Sequence, residues 1–179
     1  MSEFVFPDNT VLCNFAAVDR VGLLRAILNG DGRWAEAVAE EARRSAAYLP
    51  KLAAALSGGW LGEPIEIDDE AEVRRVEQIR RAVFGGGEDK PLQHLGESQT
   101  CFLIAESGRF VGAWWISDDR EAVRYAQMRG ITTRETIHLM NAAVVEGLIS
   151  DRDAFEAMRR MVELGRYVRL PKNAAELRR

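Results

Sequence analysis

Residues Arg109–Thr133 read RFVGAWWIS, then DDREAVRYAQMRG, then ITT. The first block is apolar nearly throughout. A strand with one solvated face alternates, so this one reads as buried on both faces. The second block opens on two aspartates and has the composition of a helix ending at Gly130. Ile131–Thr133 is short and β-prone, a strand or a turn. A strand, a helix and a second strand in so few residues form the unit from which parallel sheets are built.

The same alternation continues in both directions. "FVF" (Phe4–Phe6) is a short strand that stops before Asp8. Thr10–Leu28 carries apolar residues at helical spacing and breaks near Asp19–Arg20. "NGDG" is a turn. "RWAEAVAEEARRSAAYL" is a helix, preceded by a very short strand, and Pro50 ends or restarts it. "WLGEPIEI" (Trp60–Ile67) reads as a strand, made an edge or an irregular one by Pro64. "DDEAEVRRVEQIRRAVF" has Val73, Val76, Ile79 and Val83 on one face and acids at its start, the pattern of an amphipathic helix. "GGGEDKP" (Gly85–Pro91) is the most linker-like segment. "GESQTCFLIAESG" is a helix. Downstream, "RETIHLMNAAVVEGLI" is a helix closed by Gly147. "SDRDAFEAMRRMVELG" is another, with Ser150 as N-cap and Gly165 as its stop. "RYVRLP" reads as a last strand. The expected fold is a single α/β domain over residues 1–179, three-layer α/β/α with a mostly parallel central sheet. Residues 50–95 form an extended, helical, insertion-like segment.

Composition narrows the function. The chain has 179 residues, 47% hydrophobic and 29% charged, the make-up of one ordinary globular domain. Cys13 and Cys101 are far apart and lack any CxxC or HxxxH companion, which excludes a zinc site and leaves them as buried thiols of a reducing compartment. His94 and His138 have no nucleophile motif beside them and read as core or surface residues. No stretch approaches about 18 consecutive apolar residues, so the expectation is a cytoplasmic protein without a membrane partner. Charge is unevenly spread. Residues 1–119 hold 12 basic and 20 acidic side chains, and residues 120–179 hold 12 and 8. The acidic total argues against a nonspecific nucleic-acid coat.

The acids have a pattern of their own. In an open parallel sheet the site lies at the carboxyl ends of the strands, where helix N-termini also point. Asp8 follows the first strand and Asp118 and Asp119 follow RFVGAWWIS. Glu97 begins a helix, and Glu40 or Glu41 can add a further carboxylate. Taken alone, Asp8 is also a good helix N-cap, Glu97 is ordinary first-turn charge, and one of Asp118 and Asp119 can cap while the other binds. Gathered in one cleft, these groups stay ionised together only around a cation. All-oxygen donors select a hard ion, Mg2+ or Mn2+. Such an ion can orient water for attack on a phosphodiester. Trp114 and Trp115 lie inside an apolar strand and read as core. Arg43, Arg44, Arg124, Arg129 and Arg134 can meet phosphates, although solvated helix faces explain most of them.

In this order, the motifs resemble those of PIN-domain nucleases, and among them the VapC-like toxins of toxin–antitoxin pairs. "FVFPDNTVLCNFAAV" resembles the opening strand with its first metal-binding acid, Asp8, followed by Asn9. "WAEAVAEEARR" resembles the V-x-x-E motif and picks Val38 and Glu41. "LGESQTCFLIAESG" resembles L-x-x-GE and picks Glu97. "WWISDDREAVRYAQMRGI" resembles an apolar strand followed by Thr/Ser-x-Asp, with Ser117 and Asp119 in those places and Asp118 adjacent. "TTRETIHLMNAAVVEGLIS" resembles T-x-x-L … A-x-x-x-GLI, with Thr133 or Thr132 near the site. The "SQTC" after Glu97 and the long, charged 50–95 segment depart from the pattern. The resemblance implies a Mg2+- or Mn2+-dependent endoribonuclease in which Asp8, Glu41, Glu97 and Asp119 are catalytic. Asp8, Glu97 and Asp118 or Asp119 would bind metal, supported by Asn9, Ser117 and Thr133. It also implies an RNA substrate, a cognate antitoxin and a homodimer. Two other readings stay open: a noncatalytic subunit on the same fold, and a DNA-acting nuclease. Phosphatases of the haloacid dehalogenase type also place an Asp after the first strand but need D-x-D, and position 10 is Thr.

Overall fold

The computed structural model describes residues 4–178. Three short strands, β1 (Val5–Pro7), β2 (Trp114–Ile116) and β3 (Thr132–Arg134), pair in parallel in that order. Val5 lies opposite Trp114, and Trp114 opposite Thr132. Beyond β1 the sheet continues as two parallel bridges, Val5 with Gly32 and Ala35 with Ile65. Trp115 and Ile116 are consecutive in β2 and both are buried. Successive strand side chains point to opposite faces, so both faces of the sheet are covered. The architecture is the three-layer α/β fold expected.

Nine helices among the described residues supply the covering: α1 (Asn9–Ala17), α2 (Val21–Leu28), α3 (Glu36–Ala46), α4 (Pro50–Leu56), α5 (Glu70–Ala82), α6 (Leu95–Ala105), α7 (Arg120–Met128), α8 (Thr136–Val145) and α9 (Asp151–Glu163). A 3-10 turn follows at Ala174–Arg178. The break between α1 and α2 falls where charge interrupts the apolar spacing, with Asp19 at φ +55°. Pro50 starts α4, as its missing N–H permits at a helix N-terminus. Helix α6 packs against α3 and α5, α1 against α3, and α8 against α2 and α9. One apolar core joins them through Phe6, Leu12, Phe15, Leu103, Trp115 and Met158. None of the helices among the described residues is long and apolar enough to cross a membrane.

Two expected strands are absent. "WLGEPIEI" contributes a single bridge at Ile65, directly after Pro64, which has no N–H to pair. "RYVRLP" is unpaired loop. In RFVGAWWIS the strand is confined to Trp114–Ile116, because Phe110–Ala113 is a turn with Gly112 at φ +86°.

"GGGEDKP" is wound around a buried cation and does not act as a linker. The Arg80 side chain is 1% exposed. It donates to the carbonyls of Gly87, Lys90 and Gln93 and makes a two-pronged pair with Glu77. A Cβ on Gly86 would lie 2.3 Å from Arg80 Nη1, so the wrap needs glycine there. Arg80→Met removes the donors and strands three carbonyls. It is expected to cost about 2 kcal/mol, read as a lower urea midpoint with unchanged slope.

Candidate active site

The Asp8 backbone N–H donates to the carbonyl of Ile116 at 2.9 Å, making Asp8 the last residue the sheet holds. It stands at the N-cap position of α1, yet its carboxylate does not cap that helix. Instead Asp8 Oδ2 accepts from the Thr10 hydroxyl (2.9 Å) and the Ser117 hydroxyl (3.1 Å). Ser117 directly follows β2 and Thr10 lies in the first turn of α1, so a strand end and a helix start orient one carboxylate. Asp8 is only 6% exposed.

Glu41 reaches the same place from α3. Its carboxylate accepts the N–H of Gly96, in the first turn of α6. A Cβ on Gly96 would lie 3.0 Å from Glu41 Oε1 and 3.1 Å from Val38 Cγ2. The glycine therefore lets the start of α6 seat on the Val38–Glu41 face of α3. Gln99 strengthens the seat by accepting the Ala37 N–H at 2.9 Å. Glu40 points outward and pairs with Arg43 on an exposed face. Glu97, one residue past Gly96, lies 3.4 Å from His94 Nδ1 and is close enough to Asp8 and Glu41 to act on both electrostatically.

Burial is the main force on the Asp8 and Glu41 carboxyls, and like charge adds to it. The Asp8 carboxyl is pushed up to about 6 by desolvation and then by Glu97, against the pull of the Thr10 and Ser117 hydroxyls. Glu41 is pushed up to about 8, by desolvation and then by Asp8 and Glu97, with Arg44 opposing. A cation is the economical relief for such a set, and its all-oxygen donors suit a hard one. Among the described residues, no three such side chains are already drawn together closely enough to hold an ion. Asp8, Glu41 and Glu97 are the set that charge and placement favour.

The structure gives the remaining candidates other partners. Asp118 is buried and taken up by hydrogen bonds from the Asn14 amide and from the N–H and hydroxyl of Thr136, which tie β2 to α1 and α8. Burial pushes its carboxyl up. Asp119 is exposed and caps α7, accepting from Glu121 and Ala122 N–H groups, both on Oδ1. Asn9 bridges α1 to α3 by donating to the Ser45 hydroxyl. The Thr133 hydroxyl accepts from Gln127 on the edge strand. Thr136 is the threonine on Asp118, and the T-x-x-L spacing fits Thr136–Leu139 better than Thr132 or Thr133. Asn14 and Arg166 also escaped the sequence reading. Arg166 Nε donates to Asn14 Oδ1 at 2.9 Å. The signal for Asn14 is a polar residue one turn after Thr10 on an otherwise apolar helix.

Two hollows open nearby. One, of about 460 Å³, is lined by Thr10, Asn14, Asp118, Asp119, Arg166 and Tyr167, among others. The other, of about 280 Å³, runs past Glu41, Arg44 and Leu92. A family model described as a PIN domain matches residues 4–175. No curated protein and no solved structure matches the chain.

Proposed function

Because the chain belongs to the PIN-domain family, whose members are generally metal-dependent nucleases, we propose that it is a Mg2+- or Mn2+-dependent endoribonuclease and the toxin of a toxin–antitoxin pair. The observation that carries this reading is the meeting of Asp8, Glu41 and Glu97 at the strand edge, two of them with carboxyl groups well above their ordinary range. These three would hold the ion. Asp119 remains a contributor through Oδ2, since both of its capping bonds fall on Oδ1. When bound, the cation would offset the carboxylates and the charge that develops on the phosphodiester oxygens.

The chain's own residues do the positioning. Thr10, in the first turn of α1, and Ser117, at the end of β2, fix the Asp8 carboxylate. The Gly96 N–H fixes Glu41, which without a cation holds its proton tightly, so that an ion bound there would displace that proton. A partner that silences the site would insert an Arg or Lys among these acids, and the protein would act as a homodimer.

The test is cleavage of a mixed-sequence single-stranded RNA with Mg2+, with Mn2+ and with EDTA, beside a DNA strand of the same sequence. Metal-dependent cutting of the RNA alone supports the reading. Cutting of DNA alone makes the protein a DNA nuclease on the same site. No cutting of either by pure, partner-free protein favours a noncatalytic subunit.

A further inference from the structure

The larger hollow has chemistry that the acid cluster does not use. After α9 the chain turns at Gly165 (φ +76°), and Gly165, Arg166 and Tyr167 line the hollow in a loop that does not join the sheet. Tyr167 is 61% exposed. Its ring faces the Arg120 guanidinium, 5.4 Å from the centroid, across the mouth of the hollow. Arg166 is half-buried and held by Asn14, which in turn holds Asp118. Among the described residues neither Arg120 nor Arg166 has an ion-pair partner. Thr10 lines the hollow and also holds Asp8, so hollow and acid cluster adjoin. A volume of about 460 Å³ is within the range of small-ligand pockets.

Resting on the nuclease reading, we propose that Tyr167, Arg120 and Arg166 form a subsite for one nucleotide of a single strand, next to the phosphodiester to be cut. The base stacks on the Tyr167 ring, on the face away from the Arg120 guanidinium, and Arg166 meets the adjoining phosphate. Each part has a reason. An exposed aromatic ring already paired with a guanidinium is a platform that every base can use, because every base has a π-face. A strand led to a cluster of carboxylates needs cations just beyond them, and two unpaired arginines stand there. Duplex bases remain stacked on each other and cannot enter, so the subsite selects unpaired nucleic acid. The excess of basic residues after position 119 agrees with this placement.

The test is fluorescence anisotropy with a labelled single-stranded RNA of mixed sequence, at low salt in EDTA so that nothing is cut. Tyr167→Ala is expected to weaken binding about tenfold, and Tyr167→Phe to hold it within about twofold. A duplex of the same sequence is expected not to sense Tyr167→Ala. Equal affinity of Tyr167→Ala and wild type for the single strand overturns the proposal, as does absence of binding by the wild type. Because Tyr167 is exposed, its loss leaves the fold intact, which circular dichroism checks. If cleavage persists while Tyr167 proves indifferent, the subsite fails and the nuclease stands. If Tyr167 governs binding and no cleavage occurs with either metal, the subsite stands and the nuclease fails.

Discussion

Asp8→Asn is expected to lower RNA cleavage by about a thousandfold or more while leaving the protein folded. Asn has the same shape, and its side-chain oxygen can still accept from Thr10 and Ser117, so the ties to α1 and to the end of β2 are kept. What is lost is the anionic donor at the point where the strand edge meets α1. The remaining acids, Glu41 and Glu97, come from α3 and α6 and cannot be drawn together around the same point without it. The substitution also removes a buried carboxylate whose ionised form the fold disfavours. The thermal midpoint in EDTA is therefore expected to rise at neutral pH even as activity disappears. A merely structural Asp8 would give the opposite pair: lower stability and activity falling only in proportion. Rates on the single-stranded RNA, with melting curves of both proteins in EDTA, separate the two.

The second large effect is the pH dependence of stability without metal. Asp8 and Glu41 both have folded-state values raised above the ordinary 3.8 and 4.5, to about 6 and about 8. A raised value means that the folded state holds the proton more tightly than the unfolded chain. The resulting stability is fully present below the unfolded values. It is lost as pH rises through the folded ones, first for Asp8 and then for Glu41. Between pH 5 and pH 8.5 in EDTA the protein is expected to lose on the order of 3 kcal/mol, less than the two shifts added separately because the groups are coupled. Chemical denaturation across that range measures it. Glu41→Gln should flatten the upper part of the curve, and Asp8→Asn the lower. A flat profile in wild type would mean that the carboxyls are better solvated than their placement implies.

The sequence was most legible where structure is local. The α1–α2 break at Asp19–Arg20, the start at Pro50, the stop at Gly147 and the Ser150 cap are each set by a few neighbouring residues, and all are present. Order along the chain was enough to anticipate Asp8 and Glu97 at one edge, because strand C-termini and helix N-termini face the same way in a parallel sheet, but it placed Asp118 and Asp119 with them and left Glu40 and Glu41 open. Pairing across the chain was not legible. "WLGEPIEI" and "RYVRLP" have strand composition, but composition does not say whether a free sheet edge is available. Arg80 reads as one more arginine on a solvated helix face, and only the return of Gly86–Gln93 over it makes it a core residue. The adjacent aspartates divide on a similar contact: Asp118 turns inward because Thr136 and Asn14 meet it, and Asp119 is left to cap α7.

Titrating Mn2+ into the metal-free protein by calorimetry at neutral pH shows whether the acids at the strand edge hold a cation. The prediction is one saturable site in wild type that releases protons on binding, is lost in Asp8→Asn and is weakened in Glu97→Gln. Wild-type protein that takes up no Mn2+, or Asp8→Asn that binds it as well as wild type, would contradict the account.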